Sequence, residues 1–132
     1  MTDISLPITS LTAIFAALLI ILLTVQVIKL RRKDGVVLGD NGDRVLAKAI
    51  RGHANATEQL PIALIVMGLA ELQGASSILL WVAALILIAG RTMHAIYFAI
   101  HGTHWRLRFF GMWLTFGAQA LLIVALATTA LS

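Results

Sequence analysis

Three polar side chains stand at helical spacing within an apolar stretch: Arg51, Asn55 and Glu58. At 100° per residue, positions i, i+4 and i+7 fall within about 60° of one another, so the three side chains share one helix face. Placing an arginine or a carboxylate near the middle of a bilayer costs at least about 2.5–3.5 kcal/mol on insertion scales. The stripe spans roughly 10 Å, the extended length of a tripeptide. A cation, an amide and a carboxylate in this order suit a small zwitterion with an acid, peptide groups and an amine.

The same stripe also has a purely structural interpretation. An Arg51–Glu58 ion pair that joins neighbouring helices would place these charges without any ligand. Pro61 follows directly; inside a helix it removes one amide donor and clashes with the carbonyl of Thr57, so we expect a kink beside Glu58. A kink at membrane depth can border either packed protein or a cavity.

A second stripe is formed by Arg91, His94, Phe98 and His101, again at spacings of three and four residues. Arg91 is an isolated cation in an apolar segment, which makes it a further site candidate. The two histidines are equally compatible with hydrogen bonds between helices. No carboxylate or third ligand accompanies the histidines at a suitable spacing, so we expect no metal site.

The elements that position these residues must be membrane helices. Of the 132 residues, 60% are hydrophobic and 12% are charged, whereas a soluble domain has about 45–50% apolar and about 25% charged residues. A soluble enzyme is therefore excluded. A nucleic-acid partner is also excluded, because the basic residues lie between apolar spans rather than along one solvated face. The chain has no cysteine, so it offers no disulfide, thiolate metal site or protein thiol nucleophile.

Four segments are long enough to cross a bilayer. Three of them lack charges and reach the roughly 20 residues that a ~30 Å hydrocarbon core requires; the fourth contains the first stripe. Because only helices satisfy their own backbone in lipid, we predict an all-α integral membrane protein with a bundle of four transmembrane helices. The length predicts a single domain, residues 1–132. The expected helices span approximately residues 6–30, 44–73, 76–101 and 105–131, with Asp43 as the N-cap of the second.

The basic residues predict the orientation. One cluster lies in the link between the first and second spans, and Arg106 and Arg108 lie in the link before the fourth. By the positive-inside rule, both links are cytoplasmic and both termini lie on the non-cytoplasmic side. The bases follow the first apolar core instead of preceding it, so we expect a retained span rather than a cleaved signal peptide.

The pattern of Arg51, Asn55, Glu58 and Pro61 on a second transmembrane helix resembles the signature of the MAPEG family, the membrane-associated proteins of eicosanoid and glutathione metabolism. The resemblance covers the whole chain and is nearest to a bacterial branch, which implies a multi-pass protein of the bacterial inner membrane. It implies a glutathione-dependent transferase or peroxidase that conjugates or reduces lipophilic electrophiles by thiolate attack. It also implies a homotrimer with the site between adjacent subunits.

This resemblance assigns roles to individual residues. Glutathione, or another low-molecular-weight thiol, would be the cofactor, while membrane lipid and a lipophilic small molecule would be partners. Arg51 and Arg91 would hold carboxylates, Asn55 would bond the peptide, and Glu58 would bind an amide or the amine. The remaining residues of the expected cofactor site are His94, Arg31 and His53.

The resemblance also bears on catalysis. Arg106 and Arg108 would stabilise the thiolate, although both also serve as positive-inside anchors. Family members carry aromatic hydroxyls three and seven positions after the arginine of helix three. This chain has His94 and Phe98 at those positions, with Tyr97 one residue off the register.

Two other functions remain open on the sequence. The first is a non-catalytic lipid-binding or scaffold protein of the same family. The absence of tyrosine at positions 94 and 98 favours it. A small transporter could use Glu58 as a coupling carboxylate, but the chain has no inverted repeat or pair of broken helices to support it.

Overall fold

Four α-helices make up the fold in the computed structural model, which describes residues 5–131. α1 spans Pro7–Asp34, α2 spans Arg44–Leu72, α3 spans Ser77–Ala99 and α4 spans Arg106–Ala130. α1, α3 and α4 are each long and apolar enough to cross a membrane, while α2 has 29 residues and is more polar. The predicted all-α membrane bundle of four helices is confirmed.

α1 ends and α2 begins at a capping residue rather than at the limit of an apolar segment. α1 continues beyond the expected end at residue 30 and stops at Gly35, whose φ of 64° is a left-handed conformation that suits glycine. Asp43 is confirmed as the N-cap of α2, because its Oδ1 accepts a hydrogen bond from the backbone N–H of Val45 at 2.7 Å. α2 then runs as one helix through Pro61.

α3 ends at Ala99, before the predicted end at residue 101. The Thr103 hydroxyl donates to the carbonyls of Tyr97 at 3.2 Å and Ile100 at 3.0 Å, so it binds carbonyls at the helix end. His101 consequently lies in the turn between α3 and α4, exposed and outside the helical stripe that was expected to include it.

The N-terminus of α1 is held by the far end of α2. The Glu71 carboxylate accepts hydrogen bonds from the backbone N–H groups of Ile8 at 2.9 Å and Thr9 at 2.8 Å. The residue at the α1 N-cap is Leu6, whose side chain cannot accept a hydrogen bond. Glu71 therefore satisfies two first-turn donors and places a negative charge at the positive end of the helix dipole.

The helices pack through small residues, and the closest approach is between α3 and α4. A Cβ added to Gly90 would lie 2.8 Å from the Gly111 carbonyl oxygen, and one added to Gly111 would lie 2.7 Å from the Gly90 oxygen. α1 and α4 each contact both α2 and α3. The core between them consists largely of leucine and alanine, including Leu60, Leu87 and Leu122.

Candidate functional site

Arg91 joins the two predicted polar stripes. Its side chain is fully buried, with 0% exposure. Nη1 donates to Oδ1 of Asn55 on α2 at 2.9 Å and lies 3.7 Å from the Met112 sulfur on α4. Nη2 lies 3.3 Å from Nδ1 of His94, one turn further along α3. Asn55, Arg91 and His94 thus form one hydrogen-bonded network, which we call the Arg91 network.

The Arg91 network fixes which atoms of its members remain free. A guanidinium can only donate, so Nδ1 of His94 accepts and the proton of the neutral ring lies on Nε2. In the same way, Oδ1 of Asn55 is occupied by Arg91, which leaves the amide N–H groups as its free polar atoms. Asn55 and His94 therefore each offer an N–H donor to a ligand.

Glycines allow the helices to approach closely around this network. A Cβ on Gly111 would lie 2.8 Å from the His94 backbone nitrogen and 3.1 Å from the His94 Cβ. A Cβ on Gly52 would overlap the Cβ of Phe98 and lie 2.9 Å from its Cγ. The two glycines therefore let α2 and α4 close on the segment of α3 that carries His94 and Phe98.

A cavity of about 330 Å³ opens beside the network, between α2, α3 and α4; we call it the main cavity. Its polar wall contains Arg51, Asn55, His94 and Arg108. Its apolar wall is formed by Phe98 together with residues of α4, namely Phe109, Met112, Trp113 and Phe116. Sequence analysis missed the α4 wall, although the spacing of three and four residues from 109 to 116 marks one helix face.

The main cavity lies near the end of the bundle where α1 and α3 end and α2 and α4 begin, which we call the basic end. The Arg108 guanidinium carbon lies 5.7 Å from the centroid of the Tyr97 ring, and Lys48 Nζ lies 4.0 Å from the same centroid. Arg51 and Arg108 both line the cavity, and its lining residues include no carboxylate. The cavity is therefore suited to an anion.

Other predicted site residues lie elsewhere in the chain. Arg31 lines a second cavity of about 380 Å³, which Arg51 also borders; Nη1 of Arg31 donates to the Gly39 carbonyl at 2.8 Å. Glu58 is exposed on α2, and His53 is only partly buried. Neither lines the main cavity.

The alternative structural role for the first stripe finds no support within one chain. Arg51 and Glu58 are both exposed, and within residues 5–131 no hydrogen bond or ion pair joins them. Arg106 lies on a different side of α4 from Arg108, in a third cavity with Met93 and Leu107. The structure therefore brings together Arg51, Asn55, Arg91, His94 and Arg108 at the main cavity. Arg31 shares only the second cavity with Arg51, and Glu58, His53 and Arg106 do not line the main cavity.

The fold defines a small polytopic α-helical membrane protein with an electropositive cavity near one end. A sequence model of the MAPEG family matches residues 9–128, and the chain belongs to that family. It is 36% identical over 118 residues, 89% of this chain and 88% of the relative, to a protein of Escherichia coli K12 called inner membrane protein YecN. A protein of the same name from Escherichia coli O6:H1 matches equally. The family resemblance is thus confirmed, and the relatives' name indicates a location without an activity.

Proposed function

We propose that this protein is a membrane-bound, glutathione-dependent transferase or peroxidase acting on lipophilic electrophiles. The observation that carries the proposal is the composition of the main cavity, where Arg51, Asn55, His94 and Arg108 face a wall of aromatic side chains. The polar wall suits a hydrophilic, anionic thiol. The aromatic wall suits an apolar second substrate that arrives through the lipid.

The charges and hydrogen-bonding groups of the polar wall match glutathione. The tripeptide carries two carboxylates and one amine, and the cavity offers two guanidinium groups together with the free N–H groups of Asn55 and His94. A volume of about 330 Å³ lies within the range of about 300–1,000 Å³ that is common for small-molecule sites. Another low-molecular-weight thiol with a carboxylate would satisfy the same donors.

Arg108 is the arginine we propose to stabilise the thiolate, because it lines the main cavity and Arg106 does not. A free thiol has a pKa of about 8.5, and lowering that pKa by two units requires about 2.7 kcal/mol of preferential thiolate stabilisation. A single guanidinium in a partly dry cavity can supply this energy. Glutathione supplies the nucleophilic sulfur, which forms a bond to the electrophilic carbon while the leaving group departs.

Arg91 was expected to hold a carboxylate of the ligand, but we propose a different role for it. It is buried behind Asn55 and His94 and does not itself line the main cavity. We propose that it orients the Asn55 amide and selects the His94 tautomer, and so acts through these residues as a positioning residue. His94 then takes the place of the aromatic hydroxyl that the family carries three positions after the arginine.

The proposal includes a homotrimer in the inner membrane, with both termini on the non-cytoplasmic side. Glu58 supports an assembly, because an exposed carboxylate on a membrane helix is costly unless a polar group meets it. An adjacent subunit could bring Glu58, Arg31 and His53 to a shared site. These residues would then contribute to glutathione binding from positions outside the main cavity of their own chain.

Turnover of an activated aryl chloride with glutathione tests the proposed activity. The thiol loses its proton, a carbon–sulfur bond forms and chloride leaves, so the product can be followed by its absorbance. We expect a rate that saturates with glutathione and falls at least tenfold in Arg108→Gln. Arg32→Gln, which removes the same charge from an exposed position at the end of α1, should retain the rate. Absence of saturable glutathione binding in calorimetry would contradict the proposal.

A non-catalytic lipid-binding protein is the second candidate, and the position of Tyr97 favours it. The Tyr97 ring contacts Lys48 and does not line the main cavity, so the aromatic residue in that wall of α3 is Phe98. The cavity therefore lacks the tyrosine hydroxyls that the family uses. Binding of an acidic lipid that is unaffected by glutathione, without any thiolate, would select this second function.

A further inference from the structure

Arg106 and Arg108 lie on different faces of α4. Residues two positions apart on a helix differ by about 200° in direction, and the two side chains line different cavities. Arg106 borders a cavity of about 330 Å³ on the outer side of α4, which we call the outer cavity. Its other lining residues are His104 and three apolar side chains, Met93, Leu107 and Phe110.

Nothing in the described part of the chain neutralises Arg106. Its guanidinium makes no hydrogen bond or ion pair within residues 5–131. Residues 72–132 contain no aspartate or glutamate, and the first turn of α4 carries no acidic residue against the positive end of its dipole. The positive charge at the start of α4 is therefore unpaired within the described residues and is available to an anion from outside the chain.

His104 adds a donor to the same cavity. Its Nδ1 accepts a hydrogen bond from the backbone N–H of Arg106 at 3.2 Å. The proton of the neutral imidazole is consequently on Nε2, which is left as a donor. The polar part of the outer cavity thus consists of donors, while its remaining walls are hydrocarbon and aromatic.

The length of α4 and the aromatic residues at its start indicate where the outer cavity would lie in a bilayer. The 25 residues of α4 extend roughly 37 Å at 1.5 Å per residue, which exceeds the ~30 Å hydrocarbon core. A helix of this length can place its first turn in the interfacial region. Trp105 is 54% exposed and Phe110 is 50% exposed at this end, as aromatic residues at a membrane interface are.

We propose that the outer cavity binds the phosphodiester of an anionic phospholipid. Arg106 and His104 contact the phosphate oxygens, and the start of an acyl chain packs on Met93, Leu107 and Phe110. Charge complementarity favours this occupant, because the cavity carries the donors of Arg106 and His104 beside an apolar floor. This site is separate from the main cavity and independent of the proposed glutathione chemistry.

Native mass spectrometry of the full-length protein tests the site. Phosphatidylglycerol and phosphatidylcholine with identical acyl chains are titrated separately into the delipidated protein. We expect the first phosphatidylglycerol to bind about fivefold more tightly than phosphatidylcholine, as one arginine near an anionic surface would give. Arg106→Gln should remove this preference. Arg32→Gln, with the same loss of charge at the end of α1, should keep it.

Photo-crosslinking locates the bound lipid and separates the alternatives. A phosphatidylglycerol with a diazirine near its headgroup should label Met93, Leu107 or Phe110, and inorganic phosphate at the same concentration should not compete. Equal binding of the two lipids, or an unchanged preference in Arg106→Gln, would overturn the proposal. Competition by inorganic phosphate would indicate a free-anion site instead. If no residue is labelled and Arg106→Gln changes the mass of the oligomer, this face of α4 contacts a second copy of the chain, and the proposal is overturned.

Discussion

A buried guanidinium with only neutral partners organises the candidate site. Arg91 bonds to Asn55 and His94, and its Nε is buried without a hydrogen-bond partner in the described residues. Burying a cation without an anionic partner costs on the order of several kcal/mol. The chain therefore keeps a costly arrangement at this position, which is expected where a side chain serves binding rather than stability.

Replacing Arg91 by lysine tests its positioning role. Lysine keeps the positive charge, but its compact ammonium cannot reproduce the planar fork of donors that reaches both Asn55 and His94. We expect the dissociation constant for glutathione to rise about tenfold, the loss of one hydrogen bond to a charged group. Arg32→Lys makes the same exchange at an exposed position at the end of α1 and serves as the matched control.

Nitrogen NMR of labelled histidine gives a second test of Arg91. If Arg91 only stabilised the fold, its replacement would not change the tautomer of His94. In the unchanged protein, His94 should be protonated on Nε2 because Arg91 donates to Nδ1. In Arg91→Lys, the signal should show a mixture of tautomers. Unchanged glutathione affinity together with an unchanged tautomer would show that Arg91 does not position these residues.

At the scale of the elements, two contacts determine how the helices are arranged: one between glycines of α3 and α4, and one between the ends of α1 and α2. The contact of Gly90 with Gly111 brings α3 against α4, and the Glu71 carboxylate joins the end of α2 to the start of α1. The first contact determines how far the aromatic wall of α4 stands from His94. The second fixes α1 at the end of the bundle opposite the main cavity.

The variant Gly90→Ala should destabilise the bundle. The added Cβ would lie 2.8 Å from a backbone oxygen of α4, and overpacking of this kind costs about 1–3 kcal/mol. Thermal unfolding in detergent, followed by circular dichroism, should show a melting temperature several degrees lower. Gly117→Ala is the matched control, since no atom lies within 4 Å of its added Cβ. Equal melting temperatures for the two variants would contradict the close contact of α3 and α4.

The variant Glu71→Gln should weaken the attachment of α1. The amide keeps only one acceptor oxygen for the two backbone donors and removes the charge from the helix N-terminus, a loss of about 1 kcal/mol. Hydrogen exchange should accelerate at the amides of Ile8 and Thr9 before other parts of α1. Asp34→Asn, at an exposed position at the other end of α1, should leave their exchange unchanged. Slow exchange in Glu71→Gln would show that these donors do not depend on the carboxylate.

For the whole molecule, the sequence predicted what depends on local pattern and missed what depends on contacts between helices. The four helices and the Asp43 cap follow from apolar length and from one side chain acting on its own turn. The stripe on α2 was correctly placed on a helix, but its members separate in space, because the packing of α3 and α4 determines that Asn55 faces inward while Glu58 stays exposed. The aromatic wall was missed because Trp113 is equally typical of a lipid-facing anchor.

The exposed Glu58 also predicts the assembly. If an adjacent subunit meets this carboxylate, native mass spectrometry should show a mass of three chains, and Glu58→Leu should shift the protein towards smaller species. Thr57→Leu changes the neighbouring exposed residue without removing a charge and serves as the control. A monomer in both mild detergent and nanodiscs would contradict the trimer, while leaving the main cavity of the single chain in place.

Binding of glutathione in the main cavity should be accompanied by ionisation of its thiol. The most direct measurement is a titration of glutathione into the purified protein at neutral pH, followed by ultraviolet absorbance of the thiolate. We predict a saturable signal that is absent with S-methylglutathione, lost in Arg108→Gln and retained in Arg32→Gln. No thiolate signal in the unchanged protein, or an undiminished one in Arg108→Gln, would contradict the account.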